Sequence, residues 1–197
     1  MPDQDTRYET ADQWSQGTAV ERRYLQLPPI QWDEYAALMR LGVPAPAIIW
    51  PDLSAREHVV FRTGKPQFDF AADLPADRDD EAVSAMVLLA LGDEGYPVDL
   101  VAWTSNPYRI ASWFGATPFL GAENLFAPRL HDGLKVFPNP LAWLKAERDG
   151  VVIVDPEEAK WALVGELLIV SDGAFGLELR EKLSLPLPRI AIEEAAA

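Results

Sequence analysis

Hydrophobic and polar positions divide the chain into a polar start, a middle of short apolar runs, and a last third where helical and strand patterns alternate. Residues 1–29 are polar and predict a loosely ordered arm. The apolar spacing of residues 30–41 predicts a helix that ends at Gly42. Three short β-prone runs follow and predict strands at residues 47–50, 58–63 and 67–71.

Residues 82–91 are ambiguous, because their alanine and leucine content suits a helix while the following Gly-Asp-Glu-Gly suits a hairpin turn. We favour a strand, paired across that turn with residues 97–104. In the second strand, Val98, Leu100 and Ala102 face one side of the sheet and the intervening residues face the other.

Three Asx-Pro pairs predict helix starts in the last third, because each places a capping side chain before a proline suited to the first helical position. They are Asn106-Pro107, Asn139-Pro140 and Asp155-Pro156. Gly115 and Gly150 are placed to end the first two helices, and Glu158 completes a capping-box pattern in the third.

The apolar runs at residues 151–154 and 167–170 predict strands covered on both faces. A final helix at residues 173–183 places Phe175 and Leu179 on one side and pairs Glu178 with Lys182. The pattern predicts one α+β domain over residues 30–185, with central antiparallel strands, an alternating helix/strand C-terminal third, and a tail at 186–197.

Composition places the chain among ordinary globular proteins, with 49% hydrophobic and 24% charged residues. The absence of cysteine excludes disulfides and thiolate chemistry, and the first residues lack a basic start or apolar run. We therefore expect a cytoplasmic protein with no membrane segment.

The net charge of −14 disfavours wrapping nucleic acid and points towards a basic protein surface as partner. Of the four successive stretches of about fifty residues, only residues 101–150 are not acidic. The densest acidic run predicts a solvated loop and consists of Asp69, Asp73, Asp77, Asp79, Asp80 and Glu81. Such acidity usually serves solubility, so a docking role needs these carboxylates to gather in space.

Catalytic and cofactor motifs are scarce. The two histidines, His58 and His131, lie far apart without ligand spacing, and no serine lies in a nucleophile-elbow motif. Thr63-Gly64-Lys65 superficially resembles a phosphate loop but lacks the upstream glycine and the hydroxyl after the lysine. We expect no metal and no cofactor. Asp99, set among apolar strand residues, is the one carboxylate whose burial would raise its pKa enough to suggest catalysis.

The most informative segment mixes aromatic, amide and guanidinium groups around Trp103, Tyr108 and Arg109, a combination that anchors protein interfaces or stacks on bases. Trp113, Phe114 and Trp143 fit core positions better, which leaves the first three as the candidates for a surface role.

Residues 98–103, Trp113 with Gly115-Ala116, Leu120-Gly121, residues 140–144 and Gly150 together resemble uncharacterised bacterial proteins from prophage and mobile-element regions. The resemblance covers residues 85–183 and implies a small phage or mobile-element accessory protein. It carries no established activity with it.

The leading hypothesis is a non-enzymatic interaction protein whose acidic face, with Asp77, Asp79, Asp80 and Glu81, meets a basic partner. Trp103, Tyr108 and Arg109 are expected at or near the contact. Two alternatives stay open: a nucleic-acid-associated replication accessory protein that uses residues 103–135, and a carboxylate-dependent enzyme centred on Asp99.

Overall fold

The computed structural model describes residues 11–49, 53–75, 81–126 and 133–185. The helices of these segments are α1 (Ala11–Tyr24), α2 (Trp32–Arg40), α3 (Ala45–Ile49), α4 (Pro140–Lys145), α5 (Pro156–Ala162) and α6 (Gly173–Lys182). The strands are β1 (Leu53–Phe61), β2 (Phe68–Phe70), β3 (Val83–Leu91), β4 (Pro97–Ser105), β5 (Tyr108–Ser112), β6 (Phe119–Leu120), β7 (Leu134–Phe137), β8 (Val151–Ile153) and β9 (Leu168–Ile169).

The first sheet is antiparallel, in the order β2-β1-β3-β4-β5, and it is curled. Its central strands are buried on both faces, as the alternation in β4 shows. Leu100 and Ala102 pack in a cluster with Val20 of α1, while Val101 and Trp103 pack on the opposite side. The predicted hairpin of residues 82–91 and 97–104 is confirmed as β3 and β4.

The second sheet is mixed, in the order β6-β8-β7-β9, with β7 parallel to both of its neighbours. It packs against the outer face of the first sheet through Val152, Leu120 and Trp143. Its other face is covered by α5 and α6, which contribute Ala159, Leu163 and Leu179 to a separate cluster. The chain is therefore one α+β fold with three hydrophobic clusters.

Two of the three predicted helix starts are confirmed, and the hydrogen bonds explain them. The Ala142 amide donates to Oδ1 of Asn139 over 2.9 Å, and the Glu157 amide donates to Oδ1 of Asp155 over 2.9 Å. A third cap that we did not predict is Asp172, which accepts from the Phe175 amide at the start of α6.

The helix predicted at Asn106-Pro107 is wrong. These two residues form the turn between β4 and β5, where the Thr104 hydroxyl donates to the Pro107 carbonyl over 2.6 Å. Proline fixes φ near −65°, which suits a turn as well as a first helical turn, so the long β4–β5 pairing decides the outcome.

The β-prone run at 47–50 is also misassigned, because residues 45–49 form the short helix α3 with Ala47 and Ile48 buried. The run at 167–170 does form a strand, but β9 lies at the sheet edge, and Leu167 and Ile169 are exposed rather than covered. Apolar content alone therefore predicted the wrong conformation at residues 47–50 and the wrong burial at residues 167–170, because contacts with the rest of the fold decide both.

The N-terminal segment contains α1, a helix that the polar pattern did not predict, whose Val20 is fully buried against the first sheet. Residues 1–10 of the expected arm and the tail at 186–197 lie outside the described residues. In the described segments, no helix combines the length and apolar character needed to cross a membrane.

A close backbone contact joins α4 to the second sheet. The carbonyl of Gly150 accepts from Nε1 of Trp143 over 2.8 Å and from Nδ2 of Asn124 over 3.0 Å. Gly121, at φ +86°, passes so near that a Cβ there would lie 2.5 Å from that carbonyl oxygen. Glycine is needed at 121 for both conformation and space.

We expect Gly121→Ala to lower the free energy of unfolding by at least about 2 kcal/mol more than Gly95→Ala does. Gly95 has a similar φ of +77°, and a Cβ there would meet nothing within 4 Å, so it controls for backbone strain alone. Urea unfolding of both variants measures the difference. Equal losses would show that the contact with Gly150 is unimportant.

Candidate anion-binding cleft

The first sheet curls so far that its two edges, β5 and the residues before β2, approach each other, and a cleft opens where they stay apart. At one end β5 meets the residues before β2: the Ser112 amide donates to the Pro66 carbonyl over 2.9 Å, and Gln67 forms a parallel bridge with Ser112. Nε2 of Gln67 also donates to the Phe114 carbonyl. Towards Tyr108, the opposite end of β5, the cleft separates the strand from the turn after β1.

The cleft has a volume of about 750 Å³, a size typical of small-ligand sites. The end of the first sheet forms one wall, and β8, α6 and the β7–α4 connection form the other. Its apolar lining comprises Phe61, Ile110, Ala111, Phe137, Pro138, Ile153, Val154, Pro156, Phe175 and Leu179. Its polar and charged lining comprises Arg62, Thr63, Lys65, Tyr108, Arg109, Asn139, Glu178 and Lys182.

Four cations and one carboxylate line this cleft, although the whole chain carries −14. Two of the cations are already neutralised. Arg62 donates two hydrogen bonds, of 2.6 and 2.9 Å, to the carboxylate of Asp69, and Nζ of Lys182 lies 2.7 Å from Oε1 of Glu178. Such exposed ion pairs contribute little to the free energy of unfolding, but they neutralise the positive charge of both cations.

Lys65 and Arg109 have no carboxylate partner among the residues the structure describes. The Arg109 guanidinium instead lies over the ring of Phe61, 5.7 Å from its centroid, which is within cation–π range. Lys65 follows Gly64, whose φ of +74° turns the chain between β1 and β2. The two free positive charges therefore come from separate segments that both line the cleft.

Tyr108 links the two walls. Its hydroxyl donates to the Pro138 carbonyl over 3.2 Å, which connects β5 to the segment before α4. Partial burial of the side chain, which is 49% exposed, and a smaller contribution from Glu178 raise the pKa of the phenol to about 12. The phenol is thus a neutral hydrogen-bond donor at any physiological pH.

Asp99 does not line the cleft. Its side chain is fully buried, and Oδ1 accepts from the amides of Leu100 and Phe114 over 2.8 and 3.0 Å, while Oδ2 accepts from Ala116 over 2.8 Å. Burial raises the pKa of this carboxyl, and the amide donors oppose that rise. These contacts give Asp99 a structural role, and in the described segments no group of three or more His, Asp or Glu could hold a metal ion.

The predicted interaction residues separate into three groups. Tyr108 and Arg109 lie at the cleft, as surface residues. Trp103 must be corrected: it is 8% exposed and packs in the core between the sheets, because its position on β4 faces the second sheet. Asp77, Asp79 and Asp80 lie outside the described residues, and Glu81 is exposed just before β3.

The other members of the acidic run do not gather into a free patch. Asp69 binds Arg62, and Asp73 lies 3.2 Å from Arg23 of α1. Further carboxylates, those of Asp155 and Asp172, cap helices. These four carboxylates therefore form ion pairs or cap helices instead of gathering into one acidic surface.

Sequence reasoning missed Arg62, Lys65 and Lys182 as site residues, as well as the rings of Phe61, Phe137 and Phe175. Lys65 stood out in the sequence only as part of an incomplete phosphate-loop motif, and that motif is indeed not followed by a helix. No local pattern identifies the set, since it is assembled from separate segments of the chain between residues 61 and 182.

We expect Asp99→Asn to lower the free energy of unfolding by about 2 kcal/mol, because the new amide would face the Ala116 N–H and leave a buried donor unsatisfied. Asp93→Asn is the matched control, since Asp93 is exposed and its carboxylate accepts from the adjacent Glu94 amide. Urea midpoints measure both. Equal stability of the two variants would contradict the structural role of Asp99.

The raised pKa of Tyr108 predicts that stability falls between about pH 10 and pH 12, where an unfolded chain has already lost the phenolic proton and the folded chain retains it. Tyr108→Phe should flatten that decline and should also remove the latest step from the ultraviolet titration of tyrosine. A difference titration that places the missing step near pH 10 would show the environment of Tyr108 to be wrong.

Comparison of the chain with protein-family models, with curated proteins and with solved structures finds no match. The resemblance to prophage and mobile-element proteins therefore stays a prediction, and the cleft is the feature from which a function can be inferred.

Proposed function

We propose that this protein is a binding module without catalytic activity of its own, and that the cleft holds a carboxylate or phosphate group of its ligand. The observation that carries this proposal is the pair Lys65 and Arg109. Both line a ligand-sized cavity and neither meets a carboxylate among the described residues.

The physical basis is that two exposed cations lining the same cavity raise the local positive potential there and attract an anion. The aromatic and aliphatic lining supplies contact area, and the two free cations supply orientation. Arg109 is held over Phe61, so less of its conformational freedom is lost when a ligand binds.

The strongly negative chain selects against highly charged ligands. A polyanion would carry many phosphates into a field set by a net charge of −14, whereas a ligand with only a few anionic groups meets the local positive charge of the cleft. This contrast disfavours the nucleic-acid alternative and favours a ligand of low charge.

The hypothesis of an acidic face that docks on a basic protein surface stays a prediction, as does the suggested phage or mobile-element setting. Three of its residues, Asp77, Asp79 and Asp80, lie outside the described segments.

The test is a titration of ¹⁵N-labelled protein with citrate and with inorganic pyrophosphate, followed by amide shifts. We expect saturable shifts confined to residues 62–65 and 109–111, and a dissociation constant that rises about fivefold in Arg109→Gln and in Lys65→Gln. The effect of each substitution should shrink at high salt.

Arg180→Gln and Lys145→Gln are the controls, because both residues are exposed cations that do not line the cleft. If the control variants lose affinity equally, or if millimolar anion produces no saturable shift near the cleft, the proposal is wrong.

A further inference from the structure

On the cleft side of β5, the backbone N–H and C=O of Ile110 have no hydrogen-bond partner among the residues that the structure describes. This strand is the edge strand of the first sheet, next to β4 alone among the named strands. The Trp113 amide donates to Leu100 on the β4 side, while the Ser112 amide donates away from β4 to Pro66. Because backbone direction alternates along a strand, Ile110 points its N–H and C=O away from β4.

The sheet's own chain covers this edge only in part. Pro66 and Gln67 pair with Ser112 in parallel, but the preceding turn at Gly64 carries the chain away from the start of β5. Ile110 lines the cleft at the place where a further strand would lie. An open edge of this kind accepts an added strand.

The side chains around that edge suit a segment with alternating apolar and acidic residues. Ile110 packs towards the outer face of the sheet and Ala111 towards the inner face. Arg109 lies over Phe61, and Lys65 lines the same cavity. A strand beside β5 would alternate its side chains between these surroundings.

We propose that the ligand is an extended acidic segment of another protein, which adds to β5 as a short extra strand. This proposal rests on the proposed function. The backbone of the segment pairs with Ile110, and a carboxylate side chain faces Lys65 and Arg109. Main-chain hydrogen bonds give affinity in this mode, and the flanking side chains give specificity.

A nucleic acid fits the same place less well. The ring of Phe61 is already covered by Arg109, and Trp113 is stacked on Phe114 and packed edge-on against Phe70, so neither ring is free to stack on a base. Stacking platforms are the main source of sequence-tolerant binding to single strands.

The probe is an acetylated and amidated heptapeptide in which valine alternates with glutamate, added to the full-length protein. We expect it to bind, to slow solvent exchange of the Ile110 amide, and to be displaced by citrate. The corresponding peptide with lysine in place of glutamate should not bind.

Backbone pairing is tested by two positional isomers of the peptide, N-methylated either at the valines or at the glutamates. Only one edge of the peptide faces β5, so one isomer should lose about tenfold in affinity, because its methylated nitrogen can no longer donate to the Ile110 carbonyl, while the other serves as its matched control.

The outcomes separate the two proposals. If both isomers bind as tightly as the parent, or if citrate binds and the peptide does not, strand addition is wrong and anion binding stands. If neither citrate, pyrophosphate nor peptide binds, the proposed function itself fails. Tighter binding of a ten-residue oligothymidine at the same amides would overturn the peptide assignment.

Discussion

The architecture depends on a carboxylate buried where the chain leaves the first sheet for the second. Asp99 on β4 receives three backbone amides, two of them from the segment that follows β5. A loop entering a core must satisfy its amides, and a charged acceptor does so more strongly than a neutral one. This attachment fixes the course of the chain just after β5, whose own position, and with it one wall of the cleft, is set by its pairing with β4.

The two ends of β5 differ in what lies next to them. At Ser112 the curled sheet closes on Pro66, while at Arg109 and Ile110 it stays apart from the β1–β2 turn. The second sheet approaches from the other side, and Tyr108 reaches it through Pro138. This incomplete closure leaves a cavity lined by apolar rings and by two cations, Lys65 and Arg109, that have no carboxylate partner among the described residues.

Local chemistry made much of the fold predictable from sequence. The Gly92–Gly95 turn between two apolar runs predicted the β3–β4 hairpin, and Asn139-Pro140 and Asp155-Pro156 predicted two helix starts whose caps the hydrogen bonds confirm. The same rule failed at Asn106-Pro107, where strand pairing on both sides outweighed the helix signal. The site was mostly beyond local inference. Tyr108 and Arg109, which were predicted as interaction residues, line the cleft, whereas Trp103 is buried in the core, and Lys65 lines the same cavity as Arg109 only because the sheet curls.

The meeting of Gly121, Trp143 and Gly150 has an evolutionary consequence. The indole of Trp143, the carbonyl of Gly150 and the α-carbon of Gly121 pack against one another, although up to 29 residues of chain separate them. Replacing the indole with a smaller group would not make room for a methyl at position 121, because the Gly150 carbonyl oxygen would still lie 2.5 Å from it and the backbone there keeps a φ of +86°. Position 121 should therefore remain glycine in distant descendants of this sequence, even in those where the residue at position 143 has changed.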